Sequence, residues 1–204
     1  MISLSLSVPI FMEKYEIYLI LNPNLNSDDI NAKLDIVLNL LEQEMNAENI
    51  EVNNQGLRKL AYPIKKNATG YYLLLNFNCA QKPRTVNNVE KKLNVSDFVL
   101  RYLITNQTEF LIQKSKENLR ETESKTHRDL NKGKIEKKCI VRHIGYRVID
   151  YKDIDFLQQF TSPYSKIFAT AKTGTSAKYQ RKVKQAIKRA RHMALLSFTP
   201  LHQG

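Results

Sequence analysis

The sequence predicts an α+β protein: an antiparallel-sheet module with the element order βαββαβ, a charged connecting segment, and a small, mainly helical, basic module. Three observations predict it. In the first half, four stretches rich in β-branched, aromatic and aliphatic residues are interleaved with two stretches whose apolar residues recur at helical spacing. Between residues 113 and 138 large apolar residues nearly vanish. The net charge of +12 over 204 residues is also very unevenly spread. Residues 1–112 hold 11 Lys or Arg against 12 Asp or Glu, residues 113–138 hold 9 against 5, and residues 139–204 hold 12 against 3. A near-neutral module is thus joined to one built to meet a polyanion.

Tyr15 to Leu21 is the first strand, ended by Asn22-Pro23. Ser27 is the expected cap of a helix, with Asp28 and Asp29 complementing the dipole in its first turn. Ile30, Leu34, Val37, Leu38 and Leu41 make its apolar face. Ile50 to Ile64 and Gly70 to Cys79 read as two strands joined by a turn around Lys66-Asn67-Ala68. A second helix around Val86 to Leu93 leads to a last strand, Asp97 to Thr105. This order is the split, ferredoxin-like arrangement, with both helices on one sheet face. Tyr71, Leu73, Leu75 and Phe77 should meet those helices. The opposite face carries Tyr18, Ile20, Tyr72, Leu74, Val99 and Leu103, apolar enough to be a docking surface for a partner.

Residues 12–112 form this first module and residues 113–136 a charged linker, read either as a tether or as a solvated helical continuation. Residues 1–11 lack Lys and Arg, which argues against a secretory or transit signal. They read as an extension upstream of Met12, itself a candidate translation start. No apolar run reaches the roughly 20 residues that a membrane span needs. Cys79 and Cys139 form no C-x-x-C unit, so a disulfide framework or zinc site has little support, and no cofactor or metal is expected.

The first module carries Met12-Glu13-Lys14-Tyr15-Glu16, the stretch Gly56-Leu57-Arg58-Lys59-Leu60-Ala61-Tyr62-Pro63-Ile64, and Gly70-Tyr71-Tyr72-Leu73. Over roughly residues 12–112 it resembles bacterial small-subunit ribosomal protein six. It departs at Gln55, where that family often has tryptophan, and at Leu57, where a basic residue is usual.

In residues 137–204, Tyr151, Ile154, Leu157 and Phe160 predict a short amphipathic helix within Asp150 to Phe160. A turn at Ser162-Pro163, a brief extended piece at Ile167-Phe168 and a break at Thr173-Gly174-Thr175 follow. Ser176 to Leu196 then reads as one helix, with Tyr179, Val183, Ala186, Ile187, Ala190 and Ala194 on its apolar face. Lys178, Arg181, Lys182, Lys188, Arg189 and Arg191 lie largely on another face, with no acidic residue among them. Neighbouring like charges on a helix cost about 0.2–0.5 kcal/mol per pair, so retaining them points to phosphate as their counterpart.

The blocks Ile149-Asp150-Tyr151-Lys152-Asp153, Thr173-Gly174-Thr175, Ala177-Lys178-Tyr179-Gln180-Arg181 and Ala186-Ile187-Lys188-Arg189-Ala190-Arg191 resemble bacterial small-subunit ribosomal protein eighteen, over roughly residues 137–203. Ser165 stands where that family usually has glycine, and Ala169 where it has proline. The resemblance implies two partner proteins joined in one chain. They would bind each other and the central domain of small-subunit rRNA on the platform, among neighbouring small-subunit proteins. The setting would be the ribosome of a bacterial cytoplasm or of an organelle interior.

Expected RNA contacts are Lys166, Lys172, Thr173, Gly174, Thr175, Lys178, Gln180, Arg181, Lys182, Lys188, Arg189 and Arg191, with Arg58, Arg84 and Arg101 as weaker candidates in the neutral module. Catalysis is disfavoured: no phosphate-cradling glycine loop and no metal-ligand spacing is present. A membrane-surface role for the basic helix is disfavoured because its apolar face is built largely of small residues. The competing reading is a free-standing RNA-binding regulator without a ribosomal role.

Overall fold

The computed structural model describes residues 12–80, 83–107, 141 and 149–199. The expected extension 1–11 and the linker 113–136 lie outside the described residues. The chain divides into two compact units, one of residues 1–58 with 69–108, the other of residues 59–68 with 109–204. The expected first module kept its second and third strands whole, yet the tip of their hairpin packs with the second unit.

The first unit is built on a four-stranded antiparallel sheet in the order β2-β3-β1-β4, from β1 (Met12–Leu21), β2 (Glu48–Ile64), β3 (Asn67–Ala80) and β4 (Val99–Asn106). Helix α1 (Ser27–Met45) carries the chain from β1 to β2, and β3 inserts between them. Helix α2 (Pro83–Val95) then returns the chain from β3 to β4. Ile17, Leu19 and Leu21 of β1, Leu73, Leu75 and Phe77 of β3, Val37 and Leu41 of α1, and Val89 and Leu93 of α2 are fully buried in one cluster. Each such side chain contributes about 1.5–3 kcal/mol by leaving water. Across the helix pair, Glu44 accepts from Lys92 at 2.6 Å and from Asn88 at 3.2 Å.

Three local expectations shift. The cap position of α1 is Asn26 and not Ser27, which is the first helical residue. The hairpin turn is Lys65-Lys66, one residue earlier than expected, with both residues at positive φ (47° and 71°). That geometry twists in the same sense as the flanking strands, which is why two-residue hairpins adopt it. Val99 is also not on the outer face. The β1–β4 register shifts between Ile20 and Leu21, pairing Val99 with Leu21, and this bulge turns Val99 into the helix-side core. Tyr18, Ile20, Tyr72 and Leu74 are buried outside that core cluster, with the rings of Tyr18 and Tyr72 5.4 Å apart.

In the second unit, helix α3 (Ile154–Gln158) is shorter than expected, and Asp153 caps it by accepting from the Phe156 N–H at 3.2 Å. Tyr151, Phe156, Leu157 and Phe160 are buried. The expected extended piece is present as an antiparallel bridge between Thr161 and Ile167. Ser165 in the turn between them sits at φ 56°, a conformation that suits glycine. A short helix α4 (Thr170–Thr173), unforeseen in the sequence, is stopped by Gly174 at φ 63°. Helix α5 (Ala177–His192) packs on α3 and buries Val183, Ala186, Ile187 and Ala190. It ends four residues before the expected Leu196, because Ala194 turns left-handed at φ 51°. The N–H groups of Ala194 and Leu195 then return to the carbonyls of Arg191 and Ala190.

Candidate nucleic-acid interface

Helix α5 separates its residues by chemistry. Lys178, Arg181, Lys184 and Lys188 are exposed along one side, and Lys182 and Arg189 are half-buried beside them. The spacing of three or four residues sets these side chains in a row about one helical turn apart. Among the described residues, no ion pair engages Lys178, Arg181, Lys184 or Lys188. From Phe156 to the end of the chain there is no Asp or Glu at all, so the row has no sequence-near acid to neutralise it. Lys184 is not among the residues expected from the sequence, yet it lies three residues from Arg181 and four from Lys188. Lys166 is exposed on the loop before α4 and Lys172 is exposed on α4 itself, with its ammonium 3.7 Å from the centre of the Phe168 ring.

Other predicted contacts are turned inward. The Arg191 guanidinium donates to the carbonyl of Ser197 at 3.2 Å and to that of Ser165, and it lies over the Phe198 ring. Burial lowers its pKa from the ordinary arginine value. It ties the Ser165 turn to the chain leaving α5, a task suited to a planar fork of donors. Thr173 and Thr175 are buried with their hydroxyls 2.8 Å apart, and Thr175 also bonds the Gln180 carbonyl oxygen. The Gln180 amide in turn donates to the Phe168 carbonyl at 2.8 Å. The amides of Thr173 and Gly174 return to Ala169 and Thr170. The expected phosphate-binding turn is therefore an internal polar clasp, where buried hydroxyls satisfy one another.

In the first unit, Arg58 is exposed on β2 and Arg101 is half-buried on β4 opposite Ile20. Arg84 lies in the first turn of α2. No cluster of potential metal ligands occurs among the described residues, and none of the described helices is long and apolar enough to cross a membrane.

The same segments match known proteins. The model of the family Ribosomal protein S18 matches residues 145–196, which contain α3, α4 and α5. The chain is 47% identical over 70 residues to small ribosomal subunit protein bS18 of Flavobacterium johnsoniae, a span of 34% of this chain and 71% of that protein. The chain belongs to the ribosomal protein S18 family. Against the bS18 protein of Porphyromonas gingivalis the identity is 51% over 65 residues, covering 32% of this chain and 72% of that one.

The model of the family Ribosomal protein S6 matches residues 14–106, the sheet and both its helices. The crystal structure of 30S ribosomal protein S6 from Thermotoga maritima aligns with 53% of this chain and 98% of its own, at 24% identity and a TM-score of 0.46. An S6-family domain and an S18-family domain are thus fused in one small-subunit ribosomal protein. Both families are structural, and the chain is not an enzyme. All the exposed basic residues of α5, Lys184 included, fall within the S18 match.

Proposed function

We propose that the chain binds the central domain of small-subunit rRNA on the platform and supports subunit assembly and translation. The observation that carries this is the exposed, acid-free row Lys178, Arg181, Lys184 and Lys188 on α5. Such a row neutralises successive phosphates and releases their counterions, giving affinity that falls steeply with salt. Lys166, Lys172, Lys182 and Arg189 extend the same basic surface. Arg191, Gln180, Thr173, Gly174 and Thr175 act by holding the shape of this surface, and Arg58, Arg84 and Arg101 remain secondary candidates. The outer sheet face, with Tyr18, Ile20, Tyr72, Leu74 and Leu103, is assigned to docking of the S18-family domain of the same chain. Tethering makes that docking intramolecular, at an effective concentration of roughly millimolar. Neighbouring small-subunit proteins complete the setting, in a bacterial cytoplasm or an organelle interior alike.

The test is binding of the intact chain to a central-domain rRNA fragment across a salt series, beside an unrelated RNA of equal length. The variant R181A/K184A/K188A is expected to bind more weakly, with a slope of log K against log salt shallower by about 2 to 3. Equal affinity for the unrelated RNA would favour a general RNA-binding regulator. An unchanged slope in the variant would remove α5 as the contact.

A further inference from the structure

We infer that the tip of the β2–β3 hairpin, through Lys59, Lys65 and Lys66, is a second RNA-phosphate contact, held beside the end of α5. This rests on the reading of α5 as an RNA-binding helix.

Residues 59–68 belong to the same compact unit as α5. The Tyr62 hydroxyl donates to the Arg191 carbonyl at 2.7 Å, and the Ala61 N–H donates to the Ala194 carbonyl at 2.8 Å. The Tyr62 ring meets that of Phe198 edge-on, with centroids 5.3 Å apart. The tip is thus bonded to the last turn of α5, which carries Arg189, Arg191 and His192.

Two features of the tip are not explained by folding. Lys65 and Lys66 both occupy left-handed backbone, where Asn-Gly is the favoured pair and a β-carbon is disfavoured. They are adjacent like charges, both exposed, and Lys59 is exposed as well. No Asp or Glu occurs anywhere from Val52 to Val89 to offset them. Residues that worsen the turn and repel each other are retained where a polyanion receives them. Lysine suits this, as a point charge on a flexible stem that reaches phosphate without base selectivity.

The test is the double variant K65N/K66G in the full chain, with K65R/K66R as a charge-preserving control. Asn-Gly favours the same turn, so the unfolding temperature should hold or rise. Affinity for the central-domain fragment should fall about ten-fold at 0.1 M salt, with a slope shallower by about 1.5. The arginine control should bind as the unaltered chain does. If K65N/K66G keeps the affinity and slope of the unaltered chain while R181A/K184A/K188A loses both, the hairpin contact is overturned and the helix reading stands. If the helix variant also binds normally, the underlying reading fails with it.

Discussion

Replacing Tyr62 by phenylalanine removes one oxygen from the contact between the hairpin tip and α5. The hydroxyl is half-buried and donates to the Arg191 carbonyl at 2.7 Å. That carbonyl also accepts from the Ala194 N–H at 3.0 Å, so the substitution does not leave it without a partner. The loss therefore belongs near the middle of the range for a single hydrogen bond, about 1 kcal/mol, without the penalty of an orphaned buried acceptor. For a chain of this size that is about 2–4 °C in the melting temperature of the second unit. Tyr62→Ala also removes the edge-on contact with Phe198, and about 2–3 kcal/mol is expected in total. The assay is thermal unfolding combined with amide hydrogen exchange at the end of α5. Tyr62→Phe should speed exchange at Ala194 and Leu195, while the amides of β1 stay as they were. Unchanged exchange at Ala194 and Leu195, with a melting temperature within half a degree of the unaltered chain, would refute the hydroxyl as a cap of this helix.

Three further outcomes follow from the packing. Arg191→Ala should cost about 2 kcal/mol in urea unfolding, because it frees the Ser165 and Ser197 carbonyls together, whereas exposed Lys188→Ala should stay within about 0.5 kcal/mol. Thr175→Val keeps the volume but removes the bonds to Thr173 and Gln180. It should cost about 1–3 kcal/mol by urea melt, yet leave the salt slope of RNA binding unchanged. The Cys79 thiol is pushed up to about 11 from 9.0, first by burial and then by the charge of Glu13. The folded state thus favours the protonated form. The linked stabilisation is complete below the unfolded value near 9 and is lost as pH rises through 11. In a Cys139→Ser background, alkylation at pH 8 should be at least about 100-fold slower for the folded chain than in denaturant, and equal rates would contradict the burial.

The helix-side core was legible because alternation in a strand and recurrence in a helix are local properties. Leu73, Leu75, Phe77, Val37 and Leu41 follow them directly. Val99 was misplaced because a bulge inverts the alternation after one shifted pair, and nothing in the residues Val99 to Leu103 announces it. The end of α5 was overrun for a similar reason. Met193 to Leu196 have good helix propensity, but Ala194 takes a left-handed turn that propensity disfavours.

The basic row of α5 was readable from spacing and from the lack of acids, apart from Lys184. The inward residues were not. Arg191 has the same charge and helical neighbourhood as Lys188, and only the approach of the Ser165 turn and the chain after α5 gives its guanidinium two carbonyls to hold. Thr173 and Thr175 likewise looked like a phosphate-facing turn until α4, Gly174 and Gln180 closed around them.

What the sequence determined by itself was the order of the elements, the neutral and basic halves, and the resemblance to two ribosomal families. All of these are carried by residue type and by spacing along the chain. What only the tertiary structure decided was which cations remain exposed and where the hairpin tip belongs. Both depend on bonds beyond the reach of one helical turn, Arg191 to Ser165 for the first and Tyr62 to Arg191 for the second. Such pairings are set by where the backbone closes on itself, and the local periodicity carries no record of that.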